Sequence, residues 1–138
     1  MELTRRNALA IGAGAFAATI LPFKVSAAAD EAMMAFTGGA DVADGGITIT
    51  SPEIAENGNT VPVSVDAPGA VSILLLADGN PDPKTAVANF GPLAAAQRVS
   101  MRIRLAGSQN IVAIAKMADG SFVKASNPIK VTIGGCGG

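Results

Sequence analysis

From Ile47 to Ile133 the apolar positions come in short runs separated by turn residues, the pattern of β-structure rather than helix. It predicts strands at 47–50, 60–66, 71–77, 87–90, 99–105, 110–117, 121–126 and 129–133, the run at 87–90 being the least regular. Seven or eight strands of this length make an all-β sandwich. Strict alternation fixes the buried face of three of them: Val61, Val63 and Val65; Val99, Met101, Ile103 and Leu105; and Ile129, Val131 and Ile133. The opposite faces carry Arg98, Arg102 and Arg104, then Lys130 and Thr132. Val71 to Leu76 and Asn110 to Met117 are apolar almost throughout, which predicts central strands covered on both sides and makes their second face a candidate subunit interface. Asp119-Gly120 predicts a type I′ hairpin turn, and Asn127-Pro128 a break before the last strand.

Ahead of the strands the period changes. Asp30 to Thr37 reads as a short helix with acidic residues at its positive end and Gly38-Gly39 closing it. Ala32 and Phe36 share one face, so a helix this short needs a docking surface, either its own sandwich or a partner. Earlier still, Thr4-Arg5-Arg6-Asn7 precedes a 14-residue run from Ala8 to Leu21 and a small-residue exit at Ala27-Ala28-Ala29. The run is short of the about 20 apolar residues that a spanning helix needs, and the paired arginines are those of a twin-arginine export signal. A cut after Ala29 fits A-x-A spacing, and one after Ala27 fits as well. The expected organisation is a signal at 1–29, helix and linker at 30–46, sandwich at 47–133 and a tail at 134–138. The expected location is the periplasm, without membrane attachment after cleavage.

Charge and composition then remove functions. Losing Arg5, Arg6, Lys24 and Glu2 with the signal turns ten basic and eleven acidic residues into seven and ten. With no basic run and no Trp or Tyr, the chain lacks both the counterion-releasing surface and the stacking platform of a nucleic-acid binder. With no His and one Cys it cannot assemble the usual zinc or copper ligand sets or a Cys-His catalytic group, and it has no P-loop or G-x-G-x-x-G. No cofactor and no self-sufficient active site are expected. Asp78-Gly79-Asn80-Pro81-Asp82-Pro83 has the carboxylates of a calcium loop but neither its spacing nor its terminal Glu, so it is read as a turn. Arg98, Arg102 and Arg104 are read as a solvated strand face, with a docking stripe for an acidic partner as the alternative.

The chemistry concentrates at the end of the chain, where Ile133 is followed by Gly134-Gly135-Cys136-Gly137-Gly138. Glycine is costly to order and offers nothing to pack, so the sequence predicts a flexible arm. Three residues at about 3.5 Å each carry the Cys136 backbone about 10 Å beyond Ile133, on a tip slender enough for a narrow channel. An exposed thiol keeps a small thiolate fraction at neutral pH, sufficient for disulfide-type exchange, so Cys136 is available without being activated. A lone exported cysteine also serves to link two chains, and that alternative stands beside covalent carriage. A thiol oxidoreductase acting alone is disfavoured because no second Cys can resolve an intermediate.

Taken together, the twin-arginine start, Gly46-Ile47-Thr48-Ile49, Pro52 to Gly58, Val61 to Val65, Ala77 to Pro81, Ala118 to Ser121 and the terminal Gly-Gly-Cys-Gly-Gly resemble the SoxY family of the bacterial thiosulfate-oxidising Sox system. The resemblance implies an immunoglobulin-like sandwich paired with a SoxZ-like subunit. Cys136 would be the covalent attachment point for thiosulfate-derived sulfur adducts, and Gly134, Gly135, Gly137 and Gly138 its flexible arm. It implies a carrier that is not itself an enzyme, visited by SoxXA-, SoxB- and SoxCD-type enzymes that hold all metals and redox centres.

Overall fold

The computed structural model describes residues 27–133. In chain order these form α1 (Ala27–Thr37), β1 (Val42–Asp44), β2 (Thr48–Thr50), β3 (Ile54–Ala55), β4 (Val61–Asp66), β5 (Ala70–Ala77), β6 (Lys84–Asn89), β7 (Arg98–Ile103), β8 (Gln109–Met117) and β9 (Phe122–Val131). The larger sheet runs β1-β9-β8-β5-β6 with β3 also paired to β9, and the smaller runs β2-β4-β7. All pairings are antiparallel except β1 and β3, which run parallel to β9. This is the expected immunoglobulin-like sandwich.

The alternation read from the sequence holds along β4, β7 and β9 as far as Val131, but Ile133, expected on the buried face, lies past the end of β9 and is exposed. Val61, Val63 and Val65 of β4 and Ile103 of β7 pack with Leu105 against Ile73 and Leu75 of β5, Ile111, Ala113 and Ala115 of β8 and Ile129 of β9. Each large side chain so buried contributes about 1.5–3 kcal/mol. On β7 the outward-facing Arg98 reaches Asp66 on β4 at 3.6 Å, an exposed pair of small energetic consequence.

The second face of the apolar strands is covered by the chain itself. Leu74 and Leu76 of β5, Ile114 of β8 and Phe122 of β9 form a separate buried cluster with Ala32, Met33 and Phe36 of α1 and Val42 of β1. Phe36 meets Phe122 edge to face, 5.9 Å between ring centres. The interface expected on this face is therefore an intramolecular one, and α1 finds its docking surface on its own sandwich. The helix begins at Ala27 rather than at Asp30, with Ala29 buried.

Three further details depart from the expected pattern. β1 forms within the stretch 30–46 that was expected to be linker, and β3 is too short to show a period. Phe122 to Val131 is one strand in spite of Pro128. Along this end of β9 the N–H groups alternate sides: Val131 donates toward the β8 side, while Lys130 and Thr132 donate to Glu53 and Ala55 of the β3 segment. The N–H that Pro128 lacks would point to the second side, in the gap between the residues paired to β1 and those paired to β3, so no ladder bond is lost. The β8–β9 connection is not a type I′ turn, because among the described residues none other than glycine has positive φ, Asp119 included. Met117 N–H donates to the Ser121 carbonyl and Gly120 N–H to the Met117 carbonyl, with Gly120 at φ 88°, which makes a three-residue loop. Asp119 stays in an ordinary conformation and accepts from the Ser121 N–H and hydroxyl instead.

Candidate functional site

Cys136 and its neighbours Gly134, Gly135, Gly137 and Gly138 lie outside the described residues. What is described is the root from which they extend, and it is built from three chain segments.

The first is the end of β9. The second is the segment from Glu53 to Gly58, containing β3. Its carbonyls at Glu53 and Ala55 accept the N–H groups of Lys130 (2.9 Å) and Thr132 (3.0 Å), and the Gly58 N–H donates to the Ile133 carbonyl at 2.7 Å. Parallel pairing of Ile54 with Lys130 and Ala55 with Val131 sets the register. The Thr132 hydroxyl adds bonds to the carbonyls of Glu56 (3.0 Å) and Ala55 (3.3 Å). The third segment is the loop between β7 and β8. Paired residues of β8 and β9 end at Gln109 and Ile129, and the Ser108 side chain takes over the next rung. Its Oγ accepts the Val131 N–H at 2.8 Å and lies 3.4 Å from the Val131 carbonyl, to which it donates. The Leu105 N–H donates to the Gly58 carbonyl at 2.7 Å and ties the two flanking segments to each other.

The loop carrying Ser108 is itself held from behind. Asn80, in the turn after β5, is buried; its amide donates to the Arg104 carbonyl, and its carbonyl oxygen accepts from the Ala106 N–H and the Gln109 side chain. Gln109 in turn accepts the Gly79 N–H, and Asp78 accepts from Asn110. The Asp78-to-Pro83 stretch is thus a turn whose side chains brace the loop beside the tail.

Around the root the surface is mixed. Ile133 and Ile54 are 67% and 58% exposed, so the last described residue turns its side chain to solvent while its backbone is held. A cavity of about 550 Å³ beside the β3–β9 pairing is lined by Ser51, Glu53, Ile54, Asn127, Pro128 and Lys130. Another of about 440 Å³ lies between α1 and β6, at the opposite edge of the larger sheet from β1 and three strands away from β9. Among the described residues no group of acidic side chains is arranged to hold a metal. The sequence pattern marked the strand and the cysteine but assigned no part to Ser108, Gly58 or Asn80, and placed Thr132 only on the solvent side. Their partners lie up to 77 residues away in the chain, beyond any local window.

Residues 33–136 match the family described as sulfur oxidation protein SoxY, a span that takes in the root and ends on Cys136. The chain belongs to the SoxY family. The solved structure of the sulfur carrier protein SoxY from Chlorobium limicola f thiosulfatophilum is similar to it, with 34% sequence identity over 78% of this chain and 99% of that chain and a TM-score of 0.69. The superoxide reductase (neelaredoxin) from Ignicoccus hospitalis is similar at 22% identity, over 63% of this chain and 80% of that one with a TM-score of 0.56, a likeness of fold alone. No curated protein sequence matches significantly. Within the SoxY family reading, the described residues are the scaffold and the tail is the candidate working part.

Proposed function

We propose that this chain is a periplasmic carrier of sulfur intermediates, holding them covalently on Cys136 while partner enzymes act on them. The observation that carries this reading is the root: backbone bonds immobilise β9 as far as the Ile133 carbonyl, and the chain then passes at once into four glycines around a single cysteine. Membership of the SoxY family and the likeness to a sulfur carrier protein support it.

Loading joins the Cys136 thiolate to the outer sulfur of thiosulfate, forming one S–S bond and releasing two electrons, which a SoxXA-type haem enzyme accepts. Hydrolysis by a SoxB-type enzyme then cleaves the bond to the sulfonate group with water, releasing sulfate and two protons and leaving a persulfide on Cys136. A SoxCD-type dehydrogenase would oxidise the remaining sulfane sulfur. The chain contributes reach and presentation, and a SoxZ-like subunit completes the carrier. The twin-arginine motif supports export to the compartment where these partners would meet it.

Intact-mass analysis of the protein from thiosulfate-grown cells tests this. Adducts removable by reductant are expected on the native chain and absent from Cys136→Ser. A free thiol throughout, or a disulfide-linked dimer as the working form, would overturn the carrier reading.

A further inference from the structure

We infer that Ser108 and Thr132 are positioning residues that set where the carrier arm begins, and hence how far Cys136 reaches. This rests on the reading of residues 134–138 as a carrier arm.

The two hydroxyls do what strands would otherwise do. β8 ends its pairing at Gln109, and beyond it the Ser108 side chain supplies the reciprocal donor and acceptor that an antiparallel neighbour would offer to Val131. On the other side of β9, the pairing with β3 ends at Ala55 and Val131, and the Thr132 hydroxyl reaches onward to the carbonyls of Ala55 and Glu56. Each hydroxyl thus extends a ladder past the end of a neighbouring strand, on opposite sides of the same chain. Without them Val131 has no partner on the β8 side, and the end of β9 is held only by the backbone bonds of Lys130, Thr132 and Ile133 to the 53–58 segment.

The consequence is geometric. With the root at Ile133, the three residues to Cys136 allow a span of at most about 10 Å. If β9 frays back to Ile129, four more residues join the arm and the reach grows to about 24 Å. The hydroxyls therefore reinforce the backbone bonds against fraying and keep the arm's origin defined, which limits the volume a partner's pocket must search for the thiol.

Because Cys136 is the chain's one cysteine, reach can be read by disulfide trapping in the full chain at high dilution. Glu56→Cys places a second thiol beside the root. Ser126→Cys places one on the exposed edge of β9, seven residues or about 23 Å back from Ile133, beyond the native arm. With Ser108 and Thr132 intact, Cys136 is expected to link to position 56 and only slowly to position 126. In Ser108→Ala/Thr132→Val, linkage to position 126 relative to position 56 is expected to rise at least about tenfold, from the loss of the side-chain bonds that oppose fraying. Ser108→Thr and Thr132→Ser keep the hydroxyls and should restore the native ratio, with circular dichroism confirming that the sandwich is retained throughout.

An unchanged ratio in the folded double variant, or rapid linkage to position 126 in the native background, overturns the inference. Trapping, driven by an added thiol oxidant such as diamide that takes up the two electrons and two protons, does not depend on the carriage of sulfur adducts, so an arm that carries adducts but ignores the hydroxyls refutes the positioning role alone. An arm that obeys them but never carries sulfur refutes the carrier reading alone.

Discussion

Gly58 and Ile133 are joined backbone to backbone, the N–H of one donating to the carbonyl of the other at 2.7 Å, at the last residue before the glycine tail. They lie 75 positions apart in a chain of 138, and their contact separates a braced sandwich from a segment whose composition gives it nothing to pack. Three predictions concern the sandwich and one the tail.

Since the root is held at Ile133, tail length should govern function independently of stability. Inserting two glycines after Gly135 adds about 7 Å of reach, and deleting Gly135 removes about 3.5 Å. The deletion is expected to lower the fraction of Cys136 carrying a sulfur adduct in thiosulfate-grown cells, with the urea midpoint unchanged. A shift in that midpoint would mean the tail is part of the packed fold.

Phe122 is almost fully buried between the sheet and α1. Phe122→Ala should cost about 3 kcal/mol in urea unfolding and reduce the helical signal, because α1 is too short to persist undocked. Phe36→Ala, on the half-buried helix side of the same contact, should cost less but lose the same helical signal. A helical signal retained in both would show that other contacts dock α1.

Asn80 satisfies a backbone N–H, a carbonyl and a side-chain amide at once. Asn80→Ala should cost about 2–3 kcal/mol, since those groups lose their partner in a partly buried site. Hydrogen exchange should show the Ala106 amide losing protection. Equal protection in the variant would mean that water replaces the side chain there.

The Asp119 carboxylate is held below its usual range, first by the Ser121 hydroxyl and then by the Ser121 N–H. A carboxyl lowered in the folded state adds stability above its unfolded value and loses it as pH falls through the folded one. Ser121→Ala removes the larger cause, so the Asp119 titration midpoint, followed by carboxyl NMR, should move up toward the ordinary value. The stability difference between the two proteins should then shrink as the pH is lowered through the carboxylate range. An unmoved midpoint would assign the shift to the backbone bond.

Several of these features were legible in the sequence because they are local. The alternation of Val61, Val63 and Val65 records which face is buried, since successive side chains on a strand point to opposite sides. The near-continuous apolar run of β5 likewise announced two covered faces, though not that α1 would supply the second cover. The Asp119-Gly120 pair announced a hairpin but not its form, because Asp119 found a side-chain bond to Ser121 that let it avoid positive φ. Pro128 reads as a break in the sequence alone, which does not show which side of the strand its missing N–H would face.

By itself, then, the sequence determined the sandwich class, the inward faces of its main strands and the presence of one cysteine within a glycine tail, all of which follow from residue type and short-range spacing. Only the tertiary structure decided that α1 folds onto its own sheet, that β1 and β3 pair along β9, and that Gly58, Ser108 and Thr132 hold the strand up to Ile133. Strands of two or three residues have no period to read, and a hydroxyl acquires its partner only when folding brings together segments 23 to 77 positions apart.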